Sequence, residues 1–421
     1  MGEPLSLERA WYRQLLVLVV PMAAAIGLLA LGYIALTGVI GDAIFGDTRS
    51  TVWSGEWWWI PMTALGGAVV VALRRRWGVA DVVPGGVEII ESGHVDHRVA
   101  PSWIGIALVS AIAGASLGPS FALVIIGGGL ASWVASRRWP GNEDARLDAT
   151  TAGIAAGFGG AFTAPVLGAV IVSELEPIPR SRYVEAIIPQ LIGATIAFAV
   201  YVGIAGSTFL DLFAIPAPEF EVWHLALGVG LGVLAAIVLI VFAIVLKSIE
   251  WVAAKVTNHY GRGIVGGAIV GSIAAALPLT IGAGSDQLSF VVEESATIGA
   301  TALLLAVIGK MIAMSISLST GFIGGNVLPM LFVGGTAGAA LHVQFPDLPY
   351  AITVGAMMAA VPGAYIRAPI GLTLLAALTI GLGALTGVPV AVAVVTAHLV
   401  IAFLRTLRVR RSPLHDTALR T

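Results

Sequence analysis

The chain contains no cysteine. Disulfides, thiolate metal sites and cysteine nucleophiles are therefore excluded together. No run of clustered histidines and carboxylates takes their place, so neither a metal nor a cofactor is expected. Charge is almost as scarce: 11% of the 421 residues are Asp, Glu, Lys or Arg, where a soluble domain carries about a quarter. Nor is there a basic excess. The 22 Lys and Arg against 24 Asp and Glu leave a formal charge of -2, which offers a phosphate backbone no surface to neutralise, and nucleic acid is set aside as a partner. A membrane-embedded enzyme would need a polar catalytic cluster, and the intramembrane polar groups are too sparse for one. The expectation is a protein that is not an enzyme.

What the chain has in abundance is apolar residues, at 58%, together with 52 glycines and a mean hydropathy of +0.96. This is the composition of an integral membrane protein. Charge-free runs between Arg13 and Asp42, Asp148 and Glu174, Glu185 and Asp211, Glu221 and Lys247, and Arg262 and Asp286 each suit one membrane helix of about 20 residues. Three further runs, Val99 to Ser136, Met311 to Pro346 and Ala368 to Leu404, exceed one span, and the first two carry Gly-Pro or Gly-Gly punctuation near their middles. These read as broken or re-entrant helices. The first apolar segment, Leu15 to Ile40, is longer than the roughly 7–15 residues of a signal-peptide core and reads as a retained helix. Arg9 and Arg13 at the head, and Arg405, Arg408, Arg410 and Arg411 in the tail, place both termini in the cytoplasm. Arg74, Arg75 and Arg76 read as topological anchors on the same side, with the basic loop Lys247 to Arg262, and Trp57, Trp58 and Trp59 as an interfacial belt.

The two halves share an order of breakers. Gly118-Pro119, then Gly127 to Gly129, then Gly160-Ala161-Phe162 and Ala164-Pro165 are followed in the second half by Gly324, Gly325 and Pro329, then Gly334 and Gly335, then Gly363-Ala364-Tyr365 and Ala368-Pro369. An odd number of crossings between them makes the repeats inverted, with residues 1–221 as the first and 222–421 as the second, ending in a short cytoplasmic tail. Inverted repeats of broken helices place a binding site near the bilayer midplane. Pro119 and Pro329 each mark a first helical turn. A helix start offers unpaired amides and about half a positive charge, which suits a small dehydrated anion.

With those residues in place, the chain resembles the CLC family of chloride channels and transporters. Gly114-Ala115-Ser116-Leu117-Gly118-Pro119 looks like that family's GxxREGP-type element. Ala164-Pro165-Val166-Leu167-Gly168, ending in Ser173-Glu174-Leu175-Glu176-Pro177, is similar to its AP-x-x-G…EE element. Ser319 to Pro329 resembles SGxxGGxFxP, with Lys310 matching a basic residue upstream; Ile366 to Gly371 resembles RAP-x-x-G; and Pro413-Leu414-His415 resembles a PLY triplet. The resemblance implies an all-α membrane fold of two inverted repeats and a homodimer with one pore per subunit. It implies anion contacts from Ser116, Leu117, Gly118, Asn326 and Val327, with His415 at the tyrosine position that holds the central anion. Ala80 to Gly86 occupies the place of the family's GSGIP element and puts Asp81 near its serine. An ionised Asp81 would repel anions, so it is either protonated or turned away.

Departures from the pattern direct the functional expectation. The gating glutamate is replaced by Leu117. The internal proton-transfer position falls on Leu175 by the most direct alignment, with Glu174 one position earlier. A divergent bacterial-type member lacking the gating acid is therefore expected in the plasma membrane, conducting a small inorganic anion, chloride first, without proton coupling. The alternative is a proton-coupled chloride or fluoride antiporter that uses a non-standard acid.

Overall fold

The computed structural model describes residues 9–46, 51–176, 178–206, 213 and 215–410. The first half forms α1 (Ala10–Phe45), α2 (Trp59–Arg76), α3 (Gly86–Ser92), α4 (Ala100–Ile112), α5 (Ser120–Arg138), α6 (Glu143–Ala161), α7 (Pro165–Leu175) and α8 (Tyr183–Ala205). The second half forms α9 (Trp223–Ala254), α10 (His259–Ala276), α11 (Ser285–Ile298), α12 (Ala300–Thr320), α13 (Val327–Gln344), α14 (Tyr350–Gly363), α15 (Pro369–Ile380) and α16 (Val388–Arg410). The long, short and broken helices follow one another in the same sequence in both halves. Seven helices among the described residues are long and apolar enough to cross a membrane.

Each over-long apolar run is interrupted where its glycines fall. Gly114 (φ +77°) and Gly321 (φ +109°) end α4 and α12 in the left-handed region, and Gly381 (φ +74°) separates α15 from α16. A side chain at such a position would strain the backbone, so glycine decides where the helix stops. The prolines behave as starts. Pro165 and Pro369 are the first residues of α7 and α15, while Pro119 caps α5 and Pro329 lies in the first turn of α13.

Lipid is as apolar as leucine, so helices inside a bilayer associate through close packing of small residues rather than through water release. Gly127 of α5 and Gly153 of α6 lie against each other, and Gly334 and Gly338 of α13 meet the backbone of Met357 and Thr353 in α14. The halves are joined by α2 and α10, where Gly67 meets Gly263 and the Thr63 hydroxyl donates to the Gly267 carbonyl at 2.7 Å. This leaves α5 and α13 largely enclosed and much of α8, α9 and α16 exposed.

Two expectations about surface residues change. Trp59 is buried against Phe45 at 5.8 Å, so it belongs to the interior while Trp57 stays exposed. Arg74 is buried whereas Arg75 and Arg76 are exposed.

A Cβ on Gly127 would fall on the Gly153 carbonyl, whereas one on Gly38 of α1 would meet nothing within 4 Å. Gly127→Ala is expected to destabilise the protein by about 1–3 kcal/mol, and Gly38→Ala to be neutral or slightly stabilising. Thermal melts of the two detergent-solubilised variants test this; equal midpoints would refute the packing argument.

Candidate functional site

Two non-helical linkers, 113–119 and 321–326, meet at the centre of the fold. Gly118 donates its amide to the Gly325 carbonyl at 2.7 Å, and Gly325 returns a bond of the same length to the Gly118 carbonyl. A second reciprocal pair flanks the first. The Ser116 amide donates to the Ser317 hydroxyl at 3.1 Å, and the Ile323 amide to the Ser110 hydroxyl at 3.1 Å. Each residue of one linker maps onto the other by a shift of 207 positions, so the contacts obey a local two-fold axis through the glycine bridge. Close approach requires the glycines: a Cβ on Gly325 would land on the Ser120 hydroxyl, and one on Gly324 would come within 2.6 Å of the Leu117 Cβ.

These bonds occupy part of the donor set expected from the sequence. The amides of Ser116, Leu117 and Gly118 are all donated to protein acceptors, Leu117 to the Ala115 carbonyl at 2.7 Å. The amides of Asn326 and Val327 have no acceptor among the described residues. Neither do those of Ser120 and Phe121 at the start of α5, which sequence reading missed. The signal was the repeat itself, because the shift that relates the linkers carries Val327 onto Ser120. Pro119 occupies the cap, so the free donors begin one residue beyond the motif.

Ser120, Asn326 and Val327, together with Gly86, border an enclosed cavity of about 30 Å3, room for about one small ion or water. No charged side chain lines it among the described residues. Two long helices direct their N-termini there, which makes the cavity electropositive through dipoles alone. Asn326 also borders a much larger open vestibule of about 1010 Å3. Arg74, Lys247, Arg262 and Arg405 line that vestibule together with Asp81, Glu88 and Glu250.

The remaining sequence candidates are dispersed. Leu117 is buried and lines neither cavity, its side chain filling the space beside Gly324. Asp81 does not join the helix starts. It is exposed on the vestibule wall, 3.5 Å from His259 Nδ1 and 4.0 Å from Arg262. Glu174 faces α15, where its carboxylate accepts the amides of Ile370 at 2.9 Å and Gly371 at 2.7 Å and so caps that helix. Leu175 lines the enclosed cavity. His415 lies outside the described residues. Lys310 neither reaches an interface nor meets a carboxylate: it is buried and donates to the carbonyls of Thr280, Ile281 and Gly282 at 3.1, 3.1 and 2.7 Å. The Ser116 hydroxyl donates to that same Thr280 carbonyl at 3.0 Å.

An acid not singled out by the sequence is Glu176, one residue beyond the end of α7. It is buried, accepts from Gln190 Nε2 at 3.1 Å through one oxygen, and has no partner for the other. Burial, reinforced by the nearby Asp148 carboxylate, pushes its pKa up to about 8. The resemblance placed the internal proton-transfer position on Leu175 or Glu174, but only folding shows which carboxylate is enclosed.

Comparison with known proteins follows the same architecture. Residues 66–402 match the sequence profile described as "Voltage gated chloride channel". The chain is 27% identical over 344 residues to the "Putative ion-transport protein YfeO" of Escherichia coli (strain SMS-3-5 / SECEC), covering 80% of this chain and 78% of that one. It is 28% identical over 273 residues to a "Chloride/fluoride channel protein" of Pseudomonas syringae pv. tomato, covering 62% and 58%. Among solved structures, a slow cyanobacterial Cl-/H+ antiporter superposes with a TM-score of 0.78 at 20% identity over 93% of this chain and 94% of the other. A CLC-type fluoride/proton antiporter superposes at 0.73 and 18% identity, over 91% and 95%.

The two-fold network makes Ser110→Ala and Ser317→Ala equivalent, since each strands one buried amide. Each is expected to cost about 1–3 kcal/mol, with similar falls in thermal midpoint; a loss confined to one of them would break the symmetry argument. For Glu176 the folded state holds its proton more tightly than the unfolded chain does. Stability is therefore present at low pH and falls as pH rises from 4.5 through about 8. Glu176→Gln is expected to flatten that fall, and a melting profile across this range that keeps its slope in the variant would contradict the assignment.

Proposed function

We propose, for a chain that belongs to the voltage gated chloride channel family, that it passively conducts a small inorganic anion, chloride first, through the enclosed cavity between α5 and α13. The carrying observation is the set of acceptor-free amides at Ser120, Asn326 and Val327 around a cavity lined by no charged side chain among the described residues. Such donors replace part of an anion's hydration shell without binding it so tightly that it cannot leave. On the vestibule wall Arg74, Lys247, Arg262 and Arg405 outnumber Asp81, Glu88 and Glu250 by one charge, a slight bias toward anions. Leu117 in place of an acid leaves no carboxylate to compete for the amides. The reading places the chain as a homodimer in the plasma membrane with both termini cytoplasmic.

A coupled reading is favoured by one observation, the buried Glu176, whose pKa near 8 lets it gain and lose a proton at ordinary pH. The Cl-/H+ and fluoride/proton antiporters of similar fold lean the same way. Chloride efflux from proteoliposomes, with potassium and valinomycin as the charge shunt, separates the two. Passive conduction gives efflux without pH change. Proton uptake driven by the chloride gradient, abolished in Glu176→Gln, establishes coupling instead.

Leu117→Glu tests the linker directly. A carboxylate there is drawn to the free amides at the helix starts and competes with the anion. Flux is expected to fall near pH 7 and to recover on acidification, while the parent protein changes little. Normal flux in the variant with no acid dependence would place Leu117 off the path.

A further inference from the structure

The three consecutive arginines that end α2 have different fates. Arg75 and Arg76 are exposed, but Arg74 is only 7% exposed. Its guanidinium forks between two carbonyls, Nη1 donating to Gly321 at 2.7 Å and Nη2 to Ala80. No carboxylate lies within ion-pair distance of it among the described residues. Asp81, the next residue after Ala80, is turned toward His259 and Arg262 instead. Gly321 ends α12 and opens the 321–326 linker. Its carbonyl is one of the four a helix leaves unpaired at its C-terminus, and a cation there is also favoured by the helix dipole. Arg74 lines the vestibule beside Phe322, Ile323, Gly324 and Asn326. One side chain thus ties the wall segment that follows α2 to the linker that ends in the free amides.

We propose that Arg74 is a positioning residue for anion selectivity: by gripping the carbonyls of Gly321 and Ala80 together, its guanidinium fixes the 321–326 linker and hence the spacing of the Asn326 and Val327 amides. The proposal rests on the conduction reading. Two carbonyls held by one planar fork require arginine, because a lysine ammonium is a point charge on a flexible stem. A role limited to raising the local positive potential would survive replacement by lysine. A role limited to capping α12 would alter stability and leave ion preference untouched.

Proteoliposome flux of chloride and of the larger nitrate, measured at matched concentrations, distinguishes these roles in the parent protein, Arg74→Lys, Arg74→Met and the exposed-site control Arg75→Gln. The chloride-to-nitrate flux ratio is expected to shift roughly tenfold in both Arg74 variants, the effect of losing one or two charge-assisted hydrogen bonds, and to stay unchanged in Arg75→Gln. Arg74→Met alone is expected also to raise the chloride concentration for half-maximal flux. A parental ratio in Arg74→Lys, whatever its thermal midpoint, would overturn the proposal; should Arg74→Met fail to fold, Arg74→Lys still decides. Absence of anion flux in the parent protein would overturn the conduction reading and this proposal with it.

Discussion

A backbone polar group inside a bilayer must find its partner within the protein, since hydrocarbon offers none. The two central linkers are where that requirement is hardest to meet, because each leaves the helical ladder for about six residues. Their solution is mutual. Gly118 and Gly325 exchange both bonds, Ser110 and Ser317 cross over to the opposite linker, and Lys310 and Arg74 gather the stranded carbonyls behind them. Beyond these bonds, the amides of Ser120, Phe121, Asn326 and Val327 at the starts of α5 and α13 have no protein acceptor among the described residues.

This accounting explains why the architecture was more legible than the site. Broken helices announce themselves through Gly118-Pro119 and Gly324-Gly325 in runs too long for one span, and both the repeat and the membrane character follow from spacing and composition. The fate of an individual amide depends on who sits opposite across the two-fold axis, some two hundred residues away. Sequence reading therefore singled out the donors at Ser116, Leu117 and Gly118 that the fold uses internally. Asn326 and Val327 stay free because Gly325, not they, makes the bridge.

Charged residues were misread for a related reason. Arg74, Arg75 and Arg76 are indistinguishable as a string, and only the rotation of α2 turns the first of them inward. Glu174 and Glu176 are two positions apart, yet one points along α7 toward the start of α15 and the other turns into the space beside Gln190. Neighbouring carboxylates thus become a helix cap and a buried acid. Local pattern locates such groups, whereas the packing of the opposite repeat assigns their work.

The glycine bridge also has a history in time. During synthesis Gly118 emerges 207 residues before Gly325, and at roughly 5–20 residues per second that interval is on the order of 10–40 s. Throughout it, the first repeat holds a linker whose amides have no lasting partner and whose flanking helices cannot settle in lipid. The first half must wait, sheltered by the insertion machinery or by its own water-filled crevice, until the second half arrives to close it. A protein built this way cannot close its centre until much of its second repeat has been made.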